Sequence, residues 1–69
     1  MHLGTMKWWN AAKGFGFIAY NTAQGVKDIF VNWTDVVGHR WLEQGDMVMF
    51  DIGQGPRGEI AVNVVYLGG

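Results

Sequence analysis

A chain of 69 residues with a formal net charge of −1 is sized for one small domain. With no cysteine it forms no disulfide or thiolate metal site, and no apolar run approaches the ~18 residues of a membrane-spanning helix. Five Lys and Arg against six acids is not the balance of a generic, charge-driven nucleic-acid binder. The stretch Met1 to Thr5 lacks the apolar core of a signal peptide, so a soluble cytoplasmic protein is expected. Four Trp, four Phe and two Tyr beside eleven Gly describe a chain rich in flat contact side chains and tight turns.

Thr5 to Asn10 reads as a first strand. Strict alternation puts Trp8 and Trp9 on opposite faces, one on an aromatic surface and the other packed or at an edge. Trp8 is assigned to the exposed face, and Trp9 stays open between edge and surface. Asn10 to Gly14 is a turn, since Asn and Gly tolerate turn conformations. The most informative stretch follows: Lys13-Gly14-Phe15-Gly16-Phe17-Ile18-Ala19-Tyr20. As a strand from Phe15 to Tyr20 it carries Phe15 and Phe17 on one face and Gly16 and Ile18 on the other. One face must be core, and the other then shows rings beside a lysine. Unpaired bases stack on such rings while the ammonium meets phosphate.

Asn21 to Gly25 is a polar hairpin loop. The third strand, about Lys27 to Asn32, repeats the pattern, with Ile29 and Val31 inward and Phe30 and Asn32 outward. Trp33 to Gln44 is irregular. Within it Thr34 to Gly38 has the makings of one capped helical turn, with Val36 or Val37 plugging the core. The fourth strand, Met47 to Ile52, alternates Val48, Phe50 and Ile52. Gly53 to Gly58 is a turn, and the β-branched stretch Glu59 to Leu67 is the fifth strand. No segment shows sustained helical periodicity. Five short strands joined by Gly-rich turns predict an all-β, closed or nearly closed barrel.

Gly4-Thr5-Met6-Lys7-Trp8-Trp9-Asn10 followed by Lys13-Gly14-Phe15-Gly16-Phe17-Ile18 resembles the bacterial cold-shock proteins. The likeness continues at Asp28-Ile29-Phe30-Val31-Asn32-Trp33, at Leu42-Glu43-Gln44-Gly45 and at Ala61-Val62-Asn63-Val64, in order, over nearly the whole chain. Lys13 to Ile18 is similar to the first ribonucleoprotein motif of that family, and Ile29 to Trp33 to the second. The resemblance implies a five-stranded antiparallel OB-fold barrel. It implies binding to single-stranded RNA and DNA, with RNA structure kept loose, often at low temperature. It assigns base stacking to Trp8, Phe15, Phe17 and Phe30, and backbone or polar base contacts to Lys7, Lys13 and Arg57. Trp33 stands where the family usually has Phe, so stacking carries over. Asn32 replaces the usual His and leaves hydrogen bonding only. The loop after Trp33 is about two residues shorter than common forms. Trp41, in preference to His39, fills the place of its aromatic, as a base contact or as a loop anchor. The first hairpin loop is longer than usual, and Glu59 stands where the family has Pro.

Other chemistries find little support. The chain has no Ser and no Cys, and Asp28, Asp35 and Asp51 fall on different elements, so no catalytic residue is assigned. His2 and His39 lack partners at metal-ligand spacing, and no metal or other cofactor is expected. An RNA-recognition motif fits Lys13 to Tyr20 but needs two helices that the pattern lacks. A protein-interaction or dimerisation module using the same aromatic face is the remaining alternative, including a strand-exchanged homodimer.

Overall fold

In the computed structural model, which describes residues 1–69, Ile18 and Tyr20 of β2 (Phe15–Thr22) are buried. So are Ile29 and Val31 of β3 (Gly25–Asn32). The two strands pair antiparallel from Phe15–Asn32 to Thr22–Gly25, so inward side chains meet inward side chains. β1 (His2–Asn10) pairs with β2 on one side and with β4 (Met47–Gly55) on the other. β5 (Gly58–Gly68) lies antiparallel to β4 and touches β3 in a short parallel contact at Phe30–Ile60 and Val31–Ala61. The result is a closed barrel in the order β1-β2-β3-β5-β4, the five-stranded all-β OB arrangement expected from the sequence.

Met6, Val48, Phe50, Ala61 and Val64 complete the interior, with Phe50 the largest fully buried side chain. The link between β3 and β4 supplies Val36 and Leu42, each 1 % exposed, whereas Val37 is 59 % exposed. Of the two candidates for the core plug, Val36 is therefore the one used. This link contains two single 3₁₀ turns, Trp33–Asp35 and Val37–His39, and no α-helix. The first turn is capped by Asn32, whose Oδ1 accepts from the Thr34 N–H and hydroxyl, so it starts one residue earlier than the sequence suggests.

The strands are longer than their composition implies. Asn21 and Thr22 still pair with β3, and Gly53 to Gly55 with β5. The hairpins close on Ala23-Gln24 and on Pro56-Arg57 alone, so most of the residues with loop composition are paired as strand. Thr22 Oγ1 tightens the first hairpin by accepting from Gln24 N–H and donating to the Gly25 carbonyl. β1 likewise starts at His2, because Leu3 and Gly4 pair with Met49 and Val48.

Candidate nucleic-acid interface

The position of Trp8 depends on an irregularity in β1. Met6 pairs with Ile18, and Trp8, two residues later, pairs with Phe17, one residue away. Lys7 is thus the extra residue of a β-bulge, which reverses the inward–outward alternation beyond it. Without the bulge the inward Met6 would put Trp8 inward as well. With it Trp8 is 45 % exposed and lies nearly parallel to the Phe17 ring, centroids 6.2 Å apart. Trp9 takes the inward side opposite Gly16 and packs, half-buried, against the core.

Phe15, Phe17 and Phe30 lie outside the barrel core, as the alternation predicts. Phe15 and Phe30 are half-buried with centroids 5.5 Å apart, and Phe17 meets Phe30 edge-on at 5.8 Å. Trp8 closes the group on the β1 side, 5.6 Å from Phe15. Strand pairing alone assembles these rings, since Phe17 is cross-strand partner to both Trp8 and Phe30. The β4–β5 hairpin then forms a bank beside them. Phe15, Phe17 and Phe30 face Pro56, Arg57, Gly58, Glu59 and Ile60 across a groove of about 600 Å³. The parallel Phe30–Ile60 pairing is what brings this hairpin alongside.

A second aromatic group adjoins the first. Trp33 lies 5.4 Å from Trp41 and 5.1 Å from the His39 ring, and its Nε1 donates to the His39 carbonyl. Trp41 also meets Trp9 edge-on at 5.9 Å. Both Trp33 and Trp41 crowd Gly14, where a Cβ would sit 3.3 Å from each, and whose φ of 72° favours glycine independently. Trp41 nevertheless stays 52 % exposed, so it anchors the loop while leaving ring surface in solvent.

The charges are less simple than their positions suggest. Lys7 Nζ donates to Asp28 Oδ2 on β3 at 2.8 Å, so its charge is already shared. Lys13 and Arg57 make no ion pair, and both are exposed. Asn32 commits its carbonyl oxygen to the first 3₁₀ turn, leaving its amide N–H groups. The structure therefore lines one groove with Phe15, Phe17, Phe30 and Arg57 and sets Trp8 against Phe15 and Phe17, with Lys7 on the bulge preceding Trp8. Trp33 and Trp41 form the flanking cluster, with Asn32 preceding Trp33 in the chain and Lys13 preceding the Gly14 that both side chains crowd. Asp28, Pro56, Glu59 and Ile60 escape assignment to the site from sequence. Their nearness to the rings comes from long-range pairing, and the only signal in the sequence is the Glu59 departure from the family's Pro.

No group of three or more His, Cys, Asp or Glu is placed to hold a metal ion, and no helix is long and apolar enough to cross a membrane. The profile of the "'Cold-shock' DNA-binding domain" matches residues 2–67. "Probable cold shock protein A" of Mycolicibacterium smegmatis is 47 % identical over 66 residues, covering 93 % of this chain and 96 % of that protein. The protein of the same name from Mycobacterium tuberculosis matches at the same identity and coverage. "Cold shock protein CspA" of Staphylococcus saprophyticus is 45 % identical over 69 residues, covering 97 % of this chain and all of that protein. With ring-bearing strands on an OB barrel and a match over nearly its full length, the chain belongs to the nucleic-acid-binding cold-shock domain family.

Proposed function

We propose that the protein is a non-catalytic binder of single-stranded RNA and DNA that acts in the cytoplasm as an RNA chaperone. Bases stack on Trp8, Phe15, Phe17 and Phe30, and a base lying on a ring is withdrawn from pairing. The observation that carries this reading is a set of four rings left outside a barrel whose interior is already filled. Each base–ring stack contributes roughly 1–3 kcal/mol. Three or four of them, less the cost of ordering the strand, supply the ~8 kcal/mol of micromolar binding or better. Lys13 and Arg57 meet phosphate directly, and Lys7 does so by exchanging its contact with Asp28. Trp33 and Trp41 extend the stacking surface toward the β3–β4 link, with the Asn32 amide as a donor. Because rings accept any base, the platform alone selects weakly.

Tryptophan fluorescence tests the reading. A short single strand should quench emission saturably, because Trp8 lies in the platform, while a duplex of equal length quenches far less. A strand carrying a labelled hairpin should open on adding protein. Equal response to duplex and single strand would overturn the assignment. A stable dimer that excludes the strand, seen by light scattering, would also overturn it and favour the interaction-module alternative.

A further inference from the structure

We propose that the single strand runs on past Trp8 and Phe17 into a hollow where β1 and β2 fork, and that this hollow takes one further base; this rests on the single-strand reading above. β1 and β2 pair no further than Thr5–Ala19. Beyond that pair Leu3 and Gly4 follow β4, while Tyr20 and Asn21 follow β3. The fork opens a hollow of about 330 Å³ whose lining includes Leu3, Thr5, Ala19, Asn21, Val26 and Met47. That volume lies at the lower end of the ~300–1,000 Å³ of small-ligand sites.

The hollow continues the aromatic face. On β2, Phe17, Ala19 and Asn21 share the outward side at steps of ~6.6 Å. Neighbouring ring centroids of the platform lie 5.5 to 6.2 Å apart, so the surface keeps its pitch. On β3 the outward series from Phe30 runs through Asp28 to Val26, the partners of Ala19 and Asn21. Lys7 reaches across β2 to Asp28 at the level of Ala19, so this ion pair stands between the rings and the hollow. A strand passing from one to the other crosses it and brings a phosphate to Lys7. The chemistry of the hollow suits a base. Leu3, Val26 and Met47 are exposed apolar side chains. The Thr5 hydroxyl and the Asn21 amide make no hydrogen bond within the protein. A base offers its apolar face to the first three and its polar edge to the other two. Hydroxyl and amide each donate and accept, so the hollow takes any base. A second copy of the chain fits less well, since eight residues line the hollow against the ~20–30 per side of a stable protein interface.

Fluorescence titration with oligothymidylates from tetramer to decamer tests this, with the wild type beside the triple variant Leu3→Ala, Val26→Ala, Met47→Ala. Short strands occupy the rings first, so they should bind both proteins alike. With longer strands the wild type should gain one step that the variant lacks. The variant then levels off one nucleotide earlier and about fivefold weaker. Equal weakening at every length, or no difference at any length, overturns this inference alone. Failure of the wild type to bind any of the strands overturns the single-strand reading with it. Light scattering identifies a second copy as occupant: a wild-type dimer that the variant loses would refute the proposal. The three side chains are exposed, so circular dichroism should show the barrel unchanged in the variant. Nuclear magnetic resonance of the wild type needs no variant. The Val26 and Met47 methyl signals should move on adding the decamer and stay in place with the tetramer. Methyl signals that ignore the decamer, or that already move with the tetramer, would contradict a base subsite at the end of the path.

Discussion

A Cβ on Gly16 would collide with the Trp8 carbonyl oxygen and press within 2.9 Å of the Trp9 ring and 3.1 Å of the Met6 methyl. Backbone blocks one side, so the strand itself would have to move. Gly16→Ala should therefore cost at least about 2 kcal/mol, at the upper part of the range for overpacking, measured by urea unfolding. A near-neutral result would mean that β1 and β2 are not held this closely at the bulge. Val36 and Val37 give a cleaner pair. Val36→Ala removes two buried methyl groups and should cost about 2 kcal/mol, whereas Val37→Ala should stay within about 0.5 kcal/mol. Equal effects would contradict the assignment of Val36 as the plug. At this scale the sequence is legible wherever period two runs uninterrupted: Phe15, Phe17 and Phe30 outward, Ile18, Ile29 and Val31 inward. It does not distinguish Val36 from Val37, because a 3₁₀ turn carries no periodicity long enough to orient either one.

Among the elements, β1 holds the feature that alternation could not reveal. The bulge at Lys7 adds one residue, and nothing in Met6-Lys7-Trp8-Trp9 announces it except the partner strand, through the space left at Gly16. Asn63 is a comparable case on β5. Its φ of 51° coincides with a register break opposite β4, and it turns an otherwise inward position out to solvent, where its amide donates to Asp51. The hairpin ends depart from their sequence pattern for a different reason. Gly and Asn at 21–25 and 53–58 have loop composition, yet cross-strand pairing holds most of them in strands, because closure of the barrel rewards every added pair. The bulge also sets Lys7 against Asp28. This pair is exposed, so Asp28→Asn should change stability by less than about 1 kcal/mol. By removing the carboxylate that competes for Lys7 it should tighten single-strand binding, measured by titration at low salt. An unchanged affinity would remove Lys7 from the phosphate contacts.

The whole molecule carries a net charge of −1, yet its proposed ligand is a polyanion. Its affinity must then come mainly from rings, with Lys13, Arg57 and a shared Lys7 as the phosphate contacts. About three such contacts predict a salt slope near −2 for single strands, measured by titration at several ionic strengths. A much steeper slope would mean that charge leads instead. The fold and the exposed aromatic face are visible in the sequence because strand alternation and ring placement are local. The groove wall is not, because Glu59 and Ile60 reach Phe17 and Phe30 only through the parallel closure of β3 on β5. The most direct test of the central claim is the single-strand affinity of Phe17→Ala and Phe30→Ala, whose rings lie outside the core. Each variant should stay folded by circular dichroism and bind at least tenfold more weakly than the wild type. Folded variants that bind as tightly as the wild type would show that bases do not rest on these rings.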